Sequence, residues 1–146
     1  MSCCSQDAVR IQAEDFSQEE EIRALRASSN GIGGIVTFLG CARDFSEGRE
    51  VSQISFDAYE RMLLPELHKL RDEAMARFKL IDARIVHRLG TLQAGEQIVL
   101  IAAAAAHRGP AFDACRWIID EVKARIPIWK HERYAGGDAG WLHPEP

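Results

Sequence analysis

Residues 106–133, AHRGPAFDACRWIIDEVKARIPIWKHER, decide the fold prediction because they contain a helix, both of its ends and a following strand. Apolar side chains recur there at intervals of three and four residues, which predicts one buried helical stripe. The stripe consists of Phe112, Cys115, Ile119, Val122 and Ile126. Pro110 suits the first helical position, where its missing N–H costs nothing. Pro127 then ends the helix at the residue before it.

Cations lie at both ends of this helix, although the chain as a whole carries a net charge of −4. His107 and Arg108 precede the N-terminus, where free N–H groups and the helix dipole favour an anion. Lys123 borders the apolar stripe, and Lys130 follows the proline that ends the helix. Arg43 follows another apolar strand, at a position where binding residues often gather. These five side chains form a candidate anion pocket, and solvated surface cations are the alternative that the spacing leaves open.

Composition predicts one globular domain over residues 1–146, with residues 1–7 and 142–146 loose at its ends. Hydrophobic residues make up 47% of the chain, which is enough for a packed core. The chain lacks a basic stripe, so nucleic-acid binding is not predicted. The longest wholly apolar run, residues 98–106, is too short to span a membrane.

The cysteines and histidines indicate neither a disulfide framework nor a metal site. Cys3, Cys4, Cys41 and Cys115 form no C-x-x-C pair, and no signal peptide is recognisable, which predicts a protein of the reducing cytoplasm. Structural roles are the favoured interpretation of the cysteines. The histidines lack the spacing of metal ligands. The glycine-rich residues 31–34 precede a strand instead of following one, so no phosphate-binding loop is predicted.

Hydrophobic periodicity predicts nine elements in the order β-α-β-β-α-β-β-α-β, and this mixed order favours an α+β fold. The predicted strands are residues 9–12, 33–40, 51–59, 81–87, 98–106 and 128–134. The segment 98–106 is interpreted as a central strand covered on both faces, although its five alanines also suit a helix.

The two remaining helices and two irregular segments complete the prediction. Ser17 and Glu20 form a capping box that begins the first helix. The next helix carries Pro65 in its first turn. Residues 44–50 are polar and are expected to form a flexible loop, long enough to act as a lid. Residues 135–146 are expected to form a loose tail, apart from Trp141.

Taken in order, the motifs of the chain resemble the large, catalytic subunit of molybdopterin synthase. The resemblance runs over residues 9–141, nearly the whole chain. The segments that carry it are 34–43 (GIVTFLGCAR), 56–59 (FDAY), 86–90 (VHRLG), 95–96 (GE), 106–108 (AHR), 111–112 (AF), 120–123 (DEVK) and 127–132 (PIWKHE).

The resemblance implies an α/β hammerhead fold with an added antiparallel β subdomain, and a homodimer of this chain. Each copy would bind a small ubiquitin-like sulfur-carrier subunit, whose C-terminal thiocarboxylate would enter a pocket on this chain. Sulfur would then pass to cyclic pyranopterin monophosphate, and two such transfers would make the dithiolene of molybdopterin. By this resemblance the step needs no metal and no other cofactor.

The functional positions of the family carry over onto the same cations. By this correspondence the substrate-binding residues are Phe38, Arg43, His107 and Arg108, and the catalytic residues are Lys123 and Lys130. The two residues at the helix N-terminus are expected to reach a site shared across the dimer. Residue 131 is a histidine where the family more usually has lysine or arginine, which makes one supporting charge depend on pH.

Two other interpretations stay open at this point. The chain could be a non-catalytic binding or assembly paralogue with the same fold and dimer, although Arg43, His107, Arg108, Lys123 and Lys130 are all intact. An unrelated small-anion-binding enzyme, such as an acyl or phosphoryl transferase, would need a nucleophile or metal motif, and the sequence shows neither.

Overall fold

The computed structural model describes residues 8–46, 48–58, 60–134 and 139–142, which hold three helices and nine strands in two sheets. The helices are α1 Gln18–Ser28, α2 Glu60–Phe78 and α3 Arg108–Arg125. The strands are β1 Val9–Gln12, β2 Gly34–Cys41, β3 Phe45–Ser46, β4 Arg49–Ala58, β5 Asp82–Arg88, β6 Gly90–Gln93, β7 Gln97–Ala105, β8 Ile128–Tyr134 and β9 Ala139–Leu142. This mixed architecture confirms the predicted α+β class. None of these three helices combines the length and apolar composition that a membrane span requires.

The first sheet is covered by helices on both faces. Its strand order is β1-β5-β7-β2, with β1 parallel to β5 and the other pairs antiparallel. Ala102 and Ala104 of β7 pack with Leu25 of α1 on one face. Ala103 and Ala105 belong to the main core on the other face, which includes residues of α2 and α3. The prediction of a central strand at 98–106 is therefore confirmed, and its alanines let both helical layers lie close to the sheet.

Helix α3 is rotated relative to its predicted stripe. Phe112, expected to be buried, is 59% exposed. The helix packs on β2 and on the alanine-rich β7, where small side chains fit best. It also begins at Arg108 instead of Pro110, with His107 as its N-cap. The residues that it buries are Ala111, Ala114, Cys115, Ile118 and Val122.

The start of α1 agrees with the prediction, and the start of α2 differs from it. The inward side chains of α2 include Leu63, Leu67, Leu70 and Ala74, all fully buried. Because α2 begins at Glu60, Pro65 lies in its second turn and not in its first, so that prediction was wrong by one turn. At the start of α1, the Oγ of Ser17 accepts a hydrogen bond from the backbone N–H of Glu20 at 3.2 Å, which confirms the predicted cap.

A buried carboxylate joins α1 to the first sheet. Glu21 is 6% exposed and accepts hydrogen bonds from Nε of Arg84 at 2.6 Å and from Nη1 of Arg10 at 3.2 Å. Burial alone would raise the pKa of Glu21, but the hydrogen bonds and charges of the two arginines outweigh it and hold that pKa below its ordinary value of 4.5. The carboxylate is therefore ionised and paired at neutral pH.

The segment predicted as a flexible loop is part of the second sheet. In residues 44–50, Phe45 pairs with Glu50 and Ser46 pairs with Arg49, so β3 and the start of β4 form a hairpin. The loop prediction was wrong because short polar strands carry no hydrophobic alternation. A role of this segment as a lid stays a prediction.

The second sheet also holds two further strands that the pattern did not predict. Its order is β3-β4-β8-β9, and β6 pairs with the middle of β4. Residues 139–142 form β9 against β8, so the expectation of a loose tail was wrong there. The other segments expected to be loose, residues 1–7, 135–138 and 143–146, lie outside the described residues.

A bulge in β4 changes which of its side chains face inward. The register of β4 against β8 shifts between Val51 and Gln53. Val51 and Ile54 are both buried, although strict alternation places them on opposite faces. A bulge inserts one residue into a strand and bends it, so β4 turns a second apolar residue toward the space between the sheets. Tyr59, the predicted end of this strand, lies outside the described residues.

Candidate active site

The two sheets and the C-terminal half of α3 enclose a cavity of about 360 Å³. Most of its wall is apolar, with side chains from β2, β4, β7, α3 and β8. The polar side chains in this wall are Cys41, Arg43, His87, Lys123, Lys130 and Glu132. An apolar wall with a few convergent polar groups is typical of a small-molecule site.

Four of the six predicted site residues share this cavity. Phe38 and Arg43 reach it from the C-terminal end of β2 and the segment after it. Lys123 reaches it from the last turns of α3, beside an apolar wall built by the same helix. Lys130 lies on β8 opposite Phe56 of β4. The helix and the strand that flank Pro127 thus bring the two lysines to one place.

The charges in the cavity favour an anionic ligand. Arg43, Lys123 and Lys130 are three cations, and Glu132 is the one carboxylate among the described lining residues. Glu132 is 2% exposed and accepts a hydrogen bond from the Tyr134 hydroxyl at 3.4 Å. Apolar walls lower the local dielectric constant, so the excess of positive charge attracts anions more strongly than it would in open water.

His107 and Arg108 lie at the opposite end of α3 from this cavity. Arg108 is the first residue of the helix, fifteen residues before Lys123. At a rise of about 1.5 Å per residue, the two positions are separated by roughly 22 Å along the helix axis. Both side chains are exposed, and neither lines the cavity. The prediction of a single anion pocket that contains all five cations of one chain is therefore wrong.

Comparison with known families identifies the group to which this chain is related. The family model described as MoaE protein matches residues 11–125, which is more than half of the chain. The chain belongs to the MoaE protein family. The matched region includes every predicted site residue except Lys130, which follows it.

Individual MoaE relatives agree in sequence and in structure. A molybdopterin synthase catalytic subunit of Pyrococcus abyssi is 48% identical over 119 residues, which cover 82% of this chain and 79% of that protein. The solved structure of the molybdopterin biosynthesis MoaE protein from Burkholderia ambifaria has a TM-score of 0.81 and 37% identity, and covers 94% of this chain and 90% of that chain. The resemblance stated from the motifs is confirmed.

A third relative was solved together with a partner. It belongs to the complex of subunits 1 and 2 of the molybdopterin-converting factor from Helicobacter pylori. Its TM-score is 0.74 at 21% identity, and the match covers 94% of this chain and 90% of that chain. At that identity, the likeness shows that the fold is the same.

Besides Cys41, two polar side chains in the cavity of this MoaE chain, Glu132 and His87, were not among the predicted site residues. Glu132 could have been found from the strand period, because Ile128, Lys130 and Glu132 alternate along β8 and line one wall. His87 gave a weaker signal, because β5 also carries three charged residues, Asp82, Arg84 and Arg88. It is 6% exposed, and burial is the largest of the effects that lower its pKa to about 4.

Cys115 and Gly33 fit structural roles. Cys115 is buried in α3, and burial raises the pKa of its thiol to about 11, which is unsuited to a nucleophile. A Cβ at Gly33 would lie 2.0 Å from the carbonyl oxygen of Ala106, so the glycine lets β2 begin close to the start of α3. Cys41 is exposed and lines the cavity, whereas Cys3 and Cys4 lie outside the described residues.

Proposed function

We propose that the cavity is the active site of a molybdopterin synthase catalytic subunit that works in the cytoplasm. In this proposal, sulfur passes from the thiocarboxylated C-terminus of a small ubiquitin-like carrier subunit to cyclic pyranopterin monophosphate. The enzyme class follows from the family, since relatives that share up to 48% identity are named molybdopterin synthase catalytic subunit. The observation that carries the site assignment is the meeting of Arg43, Lys123 and Lys130 in one apolar-walled cavity.

The reaction explains why this cavity needs several cations. The substrate carries a cyclic phosphate and the carrier tail carries a thiocarboxylate, so two anions must approach each other. Like charges brought together without compensation cost several kcal/mol at an interface. Arg43, Lys123 and Lys130 offset that repulsion, and the apolar wall strengthens their attraction for both anions.

Each cation suits a different part of this chemistry. Arg43 can contact a phosphate through two parallel N–H groups. Lys123 lies where its ammonium can stabilise the charge that develops as the sulfur attacks. Lys130, on the facing strand, can orient the carrier tail or move a proton. Phe38, at the edge of the cavity, supplies an apolar surface against which the tail can pack.

His107 and Arg108 fit the proposal through a homodimer. They lie roughly 22 Å along α3 from the lysine of their own chain, so they can contribute to a cavity when it belongs to a second copy. Closed two-fold dimers are the commonest homo-oligomers. We assign these two residues to the substrate phosphate at the cavity of the second copy. The small carrier subunit would bind each copy separately, in line with the two-subunit complex of the Helicobacter pylori relative.

A turnover assay tests the proposal. The protein is mixed with a thiocarboxylated carrier subunit and cyclic pyranopterin monophosphate, and the dithiolene product is quantified. Wild type should form product. The turnover rate of Lys123→Ala should be at least about tenfold lower, because the substitution removes one interaction with a charged group. Lys69→Ala is the matched control, because Lys69 is exposed on α2 away from the cavity.

The same assay separates the proposal from a non-catalytic paralogue. A stable complex with the carrier that forms no product, with every chain folded, would favour the binding or assembly module. Equal turnover of Lys123→Ala and Lys69→Ala would contradict the site assignment while leaving the family membership intact. Failure to bind any thiocarboxylated carrier would contradict the proposed function itself.

A further inference from the structure

His87 is a buried side chain in the cavity wall that the proposed mechanism does not use. It lies on β5, opposite Val99 of β7, and is 6% exposed. Its ring packs edge-on against Phe56, with 5.4 Å between the ring centroids and 76° between the planes. Two neighbouring strands and an aromatic ring therefore fix the imidazole at the edge of the cavity.

The hydrogen bond of His87 determines which ring nitrogen carries the proton. Nδ1 lies 2.7 Å from the carbonyl oxygen of Arg88, and a carbonyl can only accept, so Nδ1 is the donor. In the neutral ring, Nε2 is then a hydrogen-bond acceptor. Among the described residues, Nδ1 has a hydrogen-bond partner and Nε2 has none. No side-chain nitrogen there that is fully shielded from solvent lacks a hydrogen-bond partner. Nε2 is therefore open to the cavity.

The surroundings of His87 keep its ring neutral. Burial lowers the pKa most, the backbone hydrogen bond to Arg88 works in the opposite direction, and the charge of Lys123 lowers it further, to about 4. The other charged groups in the cavity are Arg43, Lys130 and Glu132. The guanidinium of Arg88 points away, since it donates to the carbonyl of Ala13 and to Glu96.

We propose that His87 is a positioning residue for Lys123: its Nε2, which has no hydrogen-bond partner among the described residues, accepts a hydrogen bond from the lysine ammonium once the lysine side chain turns toward it, and so holds that ammonium inside the cavity. A neutral acceptor suits this task better than a carboxylate, because it orients the ammonium without cancelling its charge. A free lysine side chain samples many rotamers, and a fixed acceptor reduces that freedom before the anions arrive. The inference rests on the proposed function, in which Lys123 stabilises charge on the sulfur as it is transferred.

Two substitutions at His87 separate the acceptor from the rest of the side chain. The amide N–H of His87→Asn can replace the Nδ1 donor to Arg88, but its side chain is too short to place an acceptor where Nε2 lies. The longer side chain of His87→Gln can place an amide oxygen there. We expect kcat of His87→Asn to fall about tenfold or more with little change in KM, and kcat of His87→Gln to stay within about threefold of wild type. The control is His68→Asn on the exposed face of α2, which should match wild type.

A measurement without turnover tests the contact itself. In protein with ¹⁵N-labelled histidine, the nitrogen shifts of His87 should show an Nδ1–H neutral ring at pH 7. Lys123→Met should raise the pKa of His87, because a nearby positive charge is removed, whereas Lys69→Met should leave it unchanged. This experiment remains valid even if the proposed sulfur transfer is wrong.

Three results would overturn the positioning role. A pKa of His87 that does not move in Lys123→Met would mean that the two side chains do not face each other. An Nε2–H tautomer would remove the acceptor. Equal kcat values for His87→Asn and His87→Gln, whether both high or both low, would mean that the ring only fills space. The melting temperatures of both variants would show whether packing was lost.

Discussion

His107 and Arg108 should serve the cavity of a second copy of the chain, and this can be tested by complementation. Arg108 begins α3, and Lys123 follows it by fifteen residues on the same straight element. At about 1.5 Å per residue, roughly 22 Å of helix separates them, which an arginine side chain cannot span. One substrate that contacts both residues must therefore bind between two chains.

The perturbation is a pair of single variants, Arg108→Ala and Lys123→Ala. Each alone should lose about tenfold or more of its turnover, since each removes a charged contact from every site. In a two-fold dimer that contains one chain of each kind, one site carries both substitutions and the other carries neither. Random pairing makes about half of the dimers mixed, so the mixture should recover about a quarter of wild-type activity.

The assay uses two affinity tags, one on each variant, so that mixed dimers can be isolated by two successive purifications. Isolated mixed dimers should form dithiolene at about half the wild-type rate per dimer. The matched control combines Lys123→Ala with Lys130→Ala, whose substitutions fall in the same cavity of one chain. Each site of that mixed dimer lacks one lysine, so no recovery is expected.

Three outcomes would refute this reasoning. Mixed dimers of Arg108→Ala and Lys123→Ala that are no more active than their parents would mean that Arg108 does not act across the dimer. Equal recovery in the Lys123→Ala and Lys130→Ala control would mean that the cavity does not unite the two lysines of one chain. A chain that is monomeric at assay concentration yet fully active would contradict the shared site directly.

Three further predictions concern stability, measured by denaturant unfolding. Ile118→Ala should lower the free energy of unfolding by about 2–5 kcal/mol because its side chain is fully buried. Phe112→Ala should lower it by less than about 1 kcal/mol because that side chain is exposed. The reverse order would support the buried stripe that spacing predicts. Gly33→Ala should lower the free energy of unfolding by about 1–3 kcal/mol, because its Cβ would lie 2.0 Å from a backbone oxygen. A Cβ at Gly109 would contact no other atom, so Gly109→Ala should be neutral or stabilising. Glu21→Gln should lower stability at pH 7 by roughly 3 kcal/mol. The pKa of Glu21 is lowered in the folded state, so its ionised carboxylate contributes its full stabilisation above pH 4.5, and this stabilisation fades as the pH falls through the folded pKa. A difference in the free energy of unfolding between wild type and Glu21→Gln that is the same at pH 3 as at pH 7 would contradict this.

Elements with a strong pattern were predictable, and three short strands of the second sheet, β3, β6 and β9, were not. β1 and β8 have the bounds that alternation predicts, and β7 is the central strand that its apolar run predicts. β3, β6 and β9 have two to four residues each, and backbone hydrogen bonds to a neighbouring strand define them. Pairing between distant segments leaves no local trace in side-chain periodicity, so a pass along the sequence treats such strands as loops or turns.

The rotation of α3 has a different cause. A count of bulky apolar residues selects Phe112 and overlooks Ala111 and Ala114, which are fully buried. The alanines of β7 match those of α3, so the interface is built from small side chains on both sides. Such an interface becomes predictable only when the partner surface is known, because alanine by itself is common on exposed helices as well.

The cation pocket shows what spacing can and cannot decide about a site. Spacing and placement proposed the five cations, but they could not tell which end of α3 lies at the cavity. The chain leaves the helical conformation at Ile126, whose backbone is extended. Ile126 and Ile128 are both buried, which fixes the direction in which β8 leaves the helix. Lys123, on the last turns, and Lys130, on the strand, therefore face one space, whereas Arg108 is carried away by the full length of the same helix. The break at Pro127 thus unites the lysines, and the length of the helix before it is the reason why the proposal assigns His107 and Arg108 to the cavity of a second copy.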